Sequence, residues 1–148
     1  MHEQALHGEF KLRIDARRRL ALPNDVRVQL AAAGSDAFIT VAGRNQKVWL
    51  YPERYFERAV ASGEGEGATG FPLAMFGLAI ATRLQIDRRG GVTLPDKLLN
   101  HFAIFDEVSL IGVRDHFELW ERTEWANHRA TLLDGLTAAQ CCKPEQTT

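Results

Sequence analysis

Apolar residues Phe10, Leu12 and Ile14 alternate with the charged residues Lys11, Arg13 and Asp15, which predicts a half-buried strand of period two. The polar stretch Asp15–Arg18 breaks that strand as a turn, and Leu20 and Leu22 resume the alternation as a second strand. Pro23 suits the first position of a helix, whose stripe is Val26, Leu30 and Ala33 and whose end is marked by Gly34. Ala37 to Val41 and Lys47 to Tyr51 read as two strands around a turn at Ala42–Asn45. From Pro52 onward, Tyr55, Phe56, Ala59 and Val60 recur at helical spacing. The same order then returns. A strand ends at Ile86, a turn covers Asp87–Gly90, and a second strand reaches Leu94. A helix follows from Pro95, then two strands around Arg114–Asp115, then a helix from about Thr123 to Leu133. Mixed strands and helices in this order predict an α+β protein.

The recurrence is a sequence repeat as well as a pattern. Lys11–Pro23 aligns without a gap on Arg83–Pro95, and six of the thirteen positions are identical. Each copy is followed by an aromatic strand end, Val48–Phe56 in the first and Phe117–Trp125 in the second. The chain therefore divides into half-units at residues 7–60 and 76–130, a Gly-rich connector at 61–75 and a tail at 131–148. Half-units of about fifty residues are too small to bury a good core alone, so the two should pack on each other. Gly65, Gly67 and Gly70 satisfy GxGxxG. However, Glu64 lies beside that stretch, Glu66 inside it, and a helix precedes it, so it reads as a flexible loop and not a phosphate cradle.

The chain is 148 residues long, 45% hydrophobic and 25% charged, with a formal net charge of −1. Near-neutrality excludes a protein that coats DNA indiscriminately. The total hides a segregation. Lys11, Arg13, Arg17, Arg18, Arg19 and Arg27 stand against only Asp15 and Asp25, a net of +4. Arg83, Arg88, Arg89 and Lys97 stand against Asp87 and Asp96, a net of +2, which leaves −7 for the remainder. Positive charge is thus concentrated on the repeated strand–turn–strand element, and consecutive exposed arginines suit a phosphate backbone. A solvated turn with Asp15 and Asp87 as internal counter-ions is the plainer alternative.

Other chemistry is thin. His2, His7, His101, His116 and His128 are scattered, with no catalytic order or metal-ligand spacing, so no enzyme activity, metal or cofactor is expected. Cys141 and Cys142 are adjacent in a polar stretch and read as unpaired thiols of a reducing cytoplasm. The longest uncharged run, Gly67–Thr82, falls short of the roughly 20 apolar residues that span a bilayer, and Glu3 and Glu9 interrupt any apolar leader. The expected setting is the cytoplasm, without a membrane partner. The three tryptophans and Phe117 lie outside the basic element and are expected in a core or subunit interface.

Two motif copies carry a resemblance. Asp15-Ala-Arg-Arg-Arg-Leu-Ala-Leu-Pro23 and Asp87-Arg-Arg-Gly-Gly-Val-Thr-Leu-Pro95, with Trp49-Leu-Tyr-Pro52 and Phe117-Glu-Leu-Trp120, resemble the MraZ family of bacterial transcriptional regulators. That family's pattern is a doubled Asp-x-Lys-Gly-Arg-hydrophobic-x-hydrophobic-Pro. The resemblance implies a small β-barrel of two pseudo-symmetric swapped-hairpin AbrB/SpoVT-like half-units with flanking helices. It implies a ring-shaped homo-oligomer that binds direct repeats in promoter DNA, is associated with the nucleoid, and represses its own cluster of division and cell-wall genes. The DNA-binding candidates are Lys11, Arg17, Arg18, Arg19, Arg88 and Arg89, with Asp15, Pro23, Asp87 and Pro95 as structural motif residues. Three positions depart from the pattern: Arg18 replaces the turn Gly of the first copy, Gly91 the Arg of the second, and Leu99 the residue matching Arg27. Swapped-hairpin folds also serve as antitoxins, so an antitoxin-like or other protein-binding module is the alternative.

Overall fold

The computed structural model describes residues 4–43, 45–62 and 82–147, with side chains as far as residue 136. Most of the expected 61–75 connector, including its Gly-Glu loop, lies outside the described residues. The alternation at Phe10 and Leu12 forms β1 (Glu9–Arg13), and the resumed alternation after the turn forms the short β2 (Arg19–Ala21). Then come α1 (Asn24–Ala32), β3 (Ala37–Ala42), β4 (Val48–Pro52) and α2 (Glu53–Ser62). The second series is β5 (Thr82–Gln85), β6 (Gly91–Thr93), α3 (Asp96–His101), β7 (Glu107–Val113), β8 (His116–Glu121) and α4 (Arg122–Thr147).

Three helix boundaries differ from the pattern's expectation. Pro23 and Pro95 stand one residue outside α1 and α3, at the N-cap. Their ring-fixed φ of −63° and −64° is combined with extended ψ of 158° and 144°. Neither cap has a side-chain hydrogen bond, because proline supplies none. The last helix runs on to Thr147 instead of stopping near Leu133. Beyond Leu133 it takes in Gly135 and Pro144, residues of poor helix propensity that mark the stretch as a tail in the sequence pattern.

The strands cross between the two series. One six-stranded antiparallel sheet has the order β1-β7-β8-β4-β3-β5, and β2 pairs with β6 in a separate two-stranded ribbon. The opening strand of each series therefore pairs with the third strand of the other, Leu12 opposite Val108 and Leu84 opposite Phe38. At the centre Leu50 faces Phe117 across β4 and β8. The expected barrel closure is not observed. Among the described residues the sheet is open, with β1 and β5 at its edges, because β2 and β6, which follow them, pair with each other.

One core serves both series. Phe38, Val48, Leu50, Val108, Leu110, Phe117 and Leu119 of the sheet share it with Leu20, Leu22, Val92 and Leu94 around the ribbon. Val26, Leu30, Leu99 and Ile104 join from α1, α3 and the strand-bound loop. Phe38 and Phe117 meet edge-to-face at 6.1 Å. Both copies of the motif's apolar positions thus lie in a common interior, as half-units too small to stand alone require.

On β8, His116, Glu118 and Trp120 alternate with Phe117 and Leu119 and so point away from that core. The His116 ring stacks on Trp49 with centroids 4.0 Å apart. Its Nδ1 lies 2.7 Å from Asp115 Oδ1 and its Nε2 3.1 Å from Glu118 Oε2. A carboxylate at each ring nitrogen is satisfied only when both nitrogens carry hydrogen, that is, by imidazolium. Trp120 Nε1 and Asn45 Nδ2 donate to the other Glu118 oxygen at 2.9 and 3.0 Å, and Asn45 Oδ1 accepts from Trp49 Nε1. Burial works against the charged forms of His116 and Glu118. The hydrogen bonds and opposite charges outweigh it, raising the His116 pKa and lowering that of Glu118.

A histidine whose pKa is higher folded than unfolded stabilises fully below the unfolded value of about 6.5, and that stabilisation disappears as pH rises through the folded value. The urea midpoint of the chain should therefore fall as pH is raised from about 6.5 through the folded value of His116. His116→Gln should remove that slope, which urea titrations of both proteins at a series of pH values measure.

Candidate nucleic-acid interface

The two arginine turns are built by the same bonds. In the first, Asp15 Oδ1 accepts the backbone N–H of Arg17 at 2.8 Å and of Arg19 at 2.9 Å, while the Arg18 N–H donates to the Asp15 carbonyl. In the second, Asp87 Oδ1 accepts from Arg89 at 2.9 Å and Gly91 at 3.0 Å, and the Gly90 N–H donates to the Asp87 carbonyl. Aspartate is suited to this because its short carboxylate reaches amides two and four residues on. The fourth residue of each turn is left-handed, Arg18 at φ 66° and Gly90 at φ 81°. Arg18 thus adopts the backbone shape for which glycine is the usual residue.

Each turn is also fastened to the other. The Leu22 N–H donates to the Gly90 carbonyl at 3.0 Å, and the Leu94 N–H to the Arg18 carbonyl at 2.8 Å. Between these bonds the ribbon pairs Arg19 with Thr93, Leu20 with Val92 and Ala21 with Gly91. The motif prolines then direct the chain into α1 and α3. The four expected structural residues, Asp15, Pro23, Asp87 and Pro95, all lie within this paired assembly.

The candidate cations divide into two groups. Arg19 forms a bidentate pair with Asp87, Nε to Oδ2 at 2.8 Å and Nη2 to Oδ1 at 3.0 Å. That guanidinium and the Gly91 amide hold the Asp87 carboxyl well below the usual carboxylate range. Asp15 is lowered mainly by the backbone N–H groups of Arg19 and Arg17. Arg18 pairs with Asp96 at the start of α3. Arg17, Arg88 and Arg89 are exposed at the turns, with no side-chain hydrogen bond or ion pair among the described residues. Lys11 is exposed in β1 opposite Ser109, on the large sheet and not on the ribbon. Of the other residues in the basic segments, Arg13 pairs with Glu107 and Arg83 with Glu53.

Some partners were not evident from the motifs. Arg27 covers the second turn: a Cβ at Gly90 would lie 2.6 Å from its Nε. A Cβ at Gly91 would lie 2.4 Å from Cζ of Arg19. The repeat marked residue 91 as the counterpart of Arg19, but that the two copies pair with each other was not in the sequence.

Transcriptional regulator MraZ of Limosilactobacillus fermentum is 30% identical over 125 residues, which cover 82% of this chain and 85% of that protein. The chain belongs to the MraZ family. The family model described as "MraZ protein, putative antitoxin-like" matches residues 77–140. Transcriptional regulator MraZ of Desulforamulus reducens is 28% identical over 126 residues, 83% of this chain and 86% of its own. That of Natranaerobius thermophilus is 25% identical over 125 residues, 82% and 85% respectively. In this MraZ chain no helix among the described residues is long and apolar enough to cross a membrane. No group of three or more His, Cys, Asp or Glu among the described residues is placed to hold a metal ion.

The turn geometry sets opposite expectations for its two left-handed positions. Gly90→Ala should destabilise by about 1–2 kcal/mol, since it needs φ 81° and must displace Arg27. Arg18→Gly should change stability by less than about 1 kcal/mol, because relief at φ 66° offsets the lost pair with Asp96. Thermal and urea unfolding of the two variants measure the difference.

Proposed function

We propose that this chain is a sequence-specific DNA-binding transcriptional regulator whose paired arginine turns meet the DNA. The observation that carries this reading is the set of exposed, unpaired guanidinium groups at Arg17, Arg88 and Arg89, held on turns that are bonded to each other. Exposed arginine forks on a rigid frame suit phosphate contacts that set position, with one or two available for guanine edges. Of the other candidates, Arg18 and Arg19 stand beside them with their charge met by Asp96 and Asp87, and Lys11 adds positive charge on the neighbouring sheet. The names of the relatives, transcriptional regulators all, favour the same reading.

In this reading residues 7–60 and 76–130 are swapped-hairpin AbrB-like half-units, joined by 61–75 and followed by the C-terminal segment 131–148. The crossed strand pairing of the two series supports it. The protein acts in the cytoplasm on the nucleoid, as a ring-shaped homo-oligomer on promoter direct repeats, and represses its own division and cell-wall gene cluster. Several modest contacts on one ring become tight where repeat spacing equals subunit spacing. A second reading, an antitoxin-like protein-binding module, is favoured by the exposed Leu132, Leu133 and Leu136 on α4.

A gel shift with the DNA directly upstream of its gene tests the first reading. The triple variant Arg17→Ala, Arg88→Ala, Arg89→Ala should weaken retention by about 100-fold or more and flatten the dependence of affinity on salt, while remaining folded. Retention equal to that of the unaltered chain would overturn it.

A further inference from the structure

The two turns share a bond network but differ in one respect: only one has an arginine on its aspartate. Asp87 is gripped through both oxygens by Arg19, which reaches it from the other copy. Asp15, its counterpart, receives backbone N–H groups and no such guanidinium. The residue that would supply one, by the repeat, is residue 91, and it is glycine. Glycine at 91 does more than omit a charge. The three heavy atoms nearest to a Cβ built there all belong to the Arg19 guanidinium, at 2.4, 2.4 and 2.6 Å. The Arg19 guanidinium lies in the space that a side chain at 91 would take.

We infer that Arg19 is a positioning residue. Crossing from β2 over Gly91 to the Asp87 carboxylate, it couples the two turns and sets the spacing at which Arg17 on one and Arg88 and Arg89 on the other are presented. This rests on the DNA-binding reading above and assigns Arg19 a role in that site distinct from contacting DNA. The Asp87 oxygen nearest Arg19 Nη2 also accepts the Arg89 and Gly91 amides, so the guanidinium acts on the same atom that shapes the second turn. A planar two-toothed grip fixes direction as well as distance, which a lysine ammonium cannot do. The single bridge makes the interface asymmetric: the second turn is held by the first, and the first receives no guanidinium in return.

Gly91 gives a clean test, because it lies in an ordinary strand and a methyl group there meets the Arg19 guanidinium first. Affinity of the full chain is measured for a labelled duplex of its own upstream DNA, together with the Asp87 carboxyl titration by NMR. Gly91→Ala, which removes no charge, and Arg19→Gln should each weaken binding by about tenfold, and the double variant by no more than either alone. Arg19→Lys should fall with Arg19→Gln although it keeps the charge. In each variant the Asp87 titration should move up toward an ordinary carboxylate. Losses that multiply in the double variant, full affinity in Arg19→Lys, or full affinity in Gly91→Ala with the Asp87 titration moved, would each overturn the inference. Failure of the unaltered chain to retain the duplex would show that the DNA-binding reading had fallen first, and the inference with it.

Discussion

Two reciprocal backbone bonds hold the rest of this architecture in place: the Leu22 N–H to the Gly90 carbonyl and the Leu94 N–H to the Arg18 carbonyl. Each turn ends in a left-handed residue whose carbonyl is aimed at the other copy, and neither carbonyl would have that partner in an isolated half. Backbone groups near an interior must be paired, so the turns form as a pair or leave two polar groups unmatched. Arg18 tolerates an unfavourable φ because that requirement and the Asp15 network over-determine its conformation. From this junction β1 and β5 depart in opposite directions along the large sheet, each to the strand partners of the other series.

The same crossing explains how the core and the charge are partitioned. The apolar positions of both motif copies meet beneath the ribbon, with Leu20 opposite Val92. Their intervening polar positions are thereby forced outward together. Charge that cannot enter the core collects at the turns, and the carboxylates of Asp87, Asp96, Glu53 and Glu107 neutralise only some of it. On the far side of the sheet the buried ionic group of His116 and Glu118 is tolerated because the two bond each other and Asp115, Asn45 and Trp120 satisfy their remaining polar atoms.

Much of this was legible in the sequence, and the gaps have physical causes. Strand order within each series followed from alternation at Phe10, Leu12 and Ile14 and from the Asp and Pro punctuation, both local signals. The pairing between series was not local. Period-two alternation says which face a residue takes and nothing about which strand lies beside it. The barrel came from the family resemblance, and alternation within the strands could not have tested it. At the site, clustering of arginine at the turns was plain, but exposed and carboxylate-bound arginines look alike in a string of letters. Arg17 and Arg19 are two residues apart, yet Arg17 stays on the turn while Arg19, past the left-handed Arg18, enters β2 and faces Asp87 across the ribbon. The His116 cluster was invisible for a similar reason: its members come from β4, β8 and the loop containing Asn45.

The neutralised arginines bear on how selectivity arises under the proposed function. Four guanidinium groups of the basic segments, Arg13, Arg18, Arg19 and Arg83, already bond carboxylates, so their net attraction for phosphate is small. Of the others, Arg17, Arg88 and Arg89 stand exposed at the turns and Arg27 lies against Gly90. Each neutralised phosphate contributes a salt slope of about −0.9, so three give weak binding at physiological ionic strength. An overall charge of −1 further lowers attraction to arbitrary DNA. Weak single contacts are an advantage to a regulator that must ignore most of the chromosome. Tight binding then requires several subunits to engage at once, which only a correctly spaced set of sites allows. For a ring on direct repeats, as proposed, near-neutral composition and a pruned set of free arginines act in the same direction, placing discrimination in the geometry of assembly instead of in the charge of one subunit.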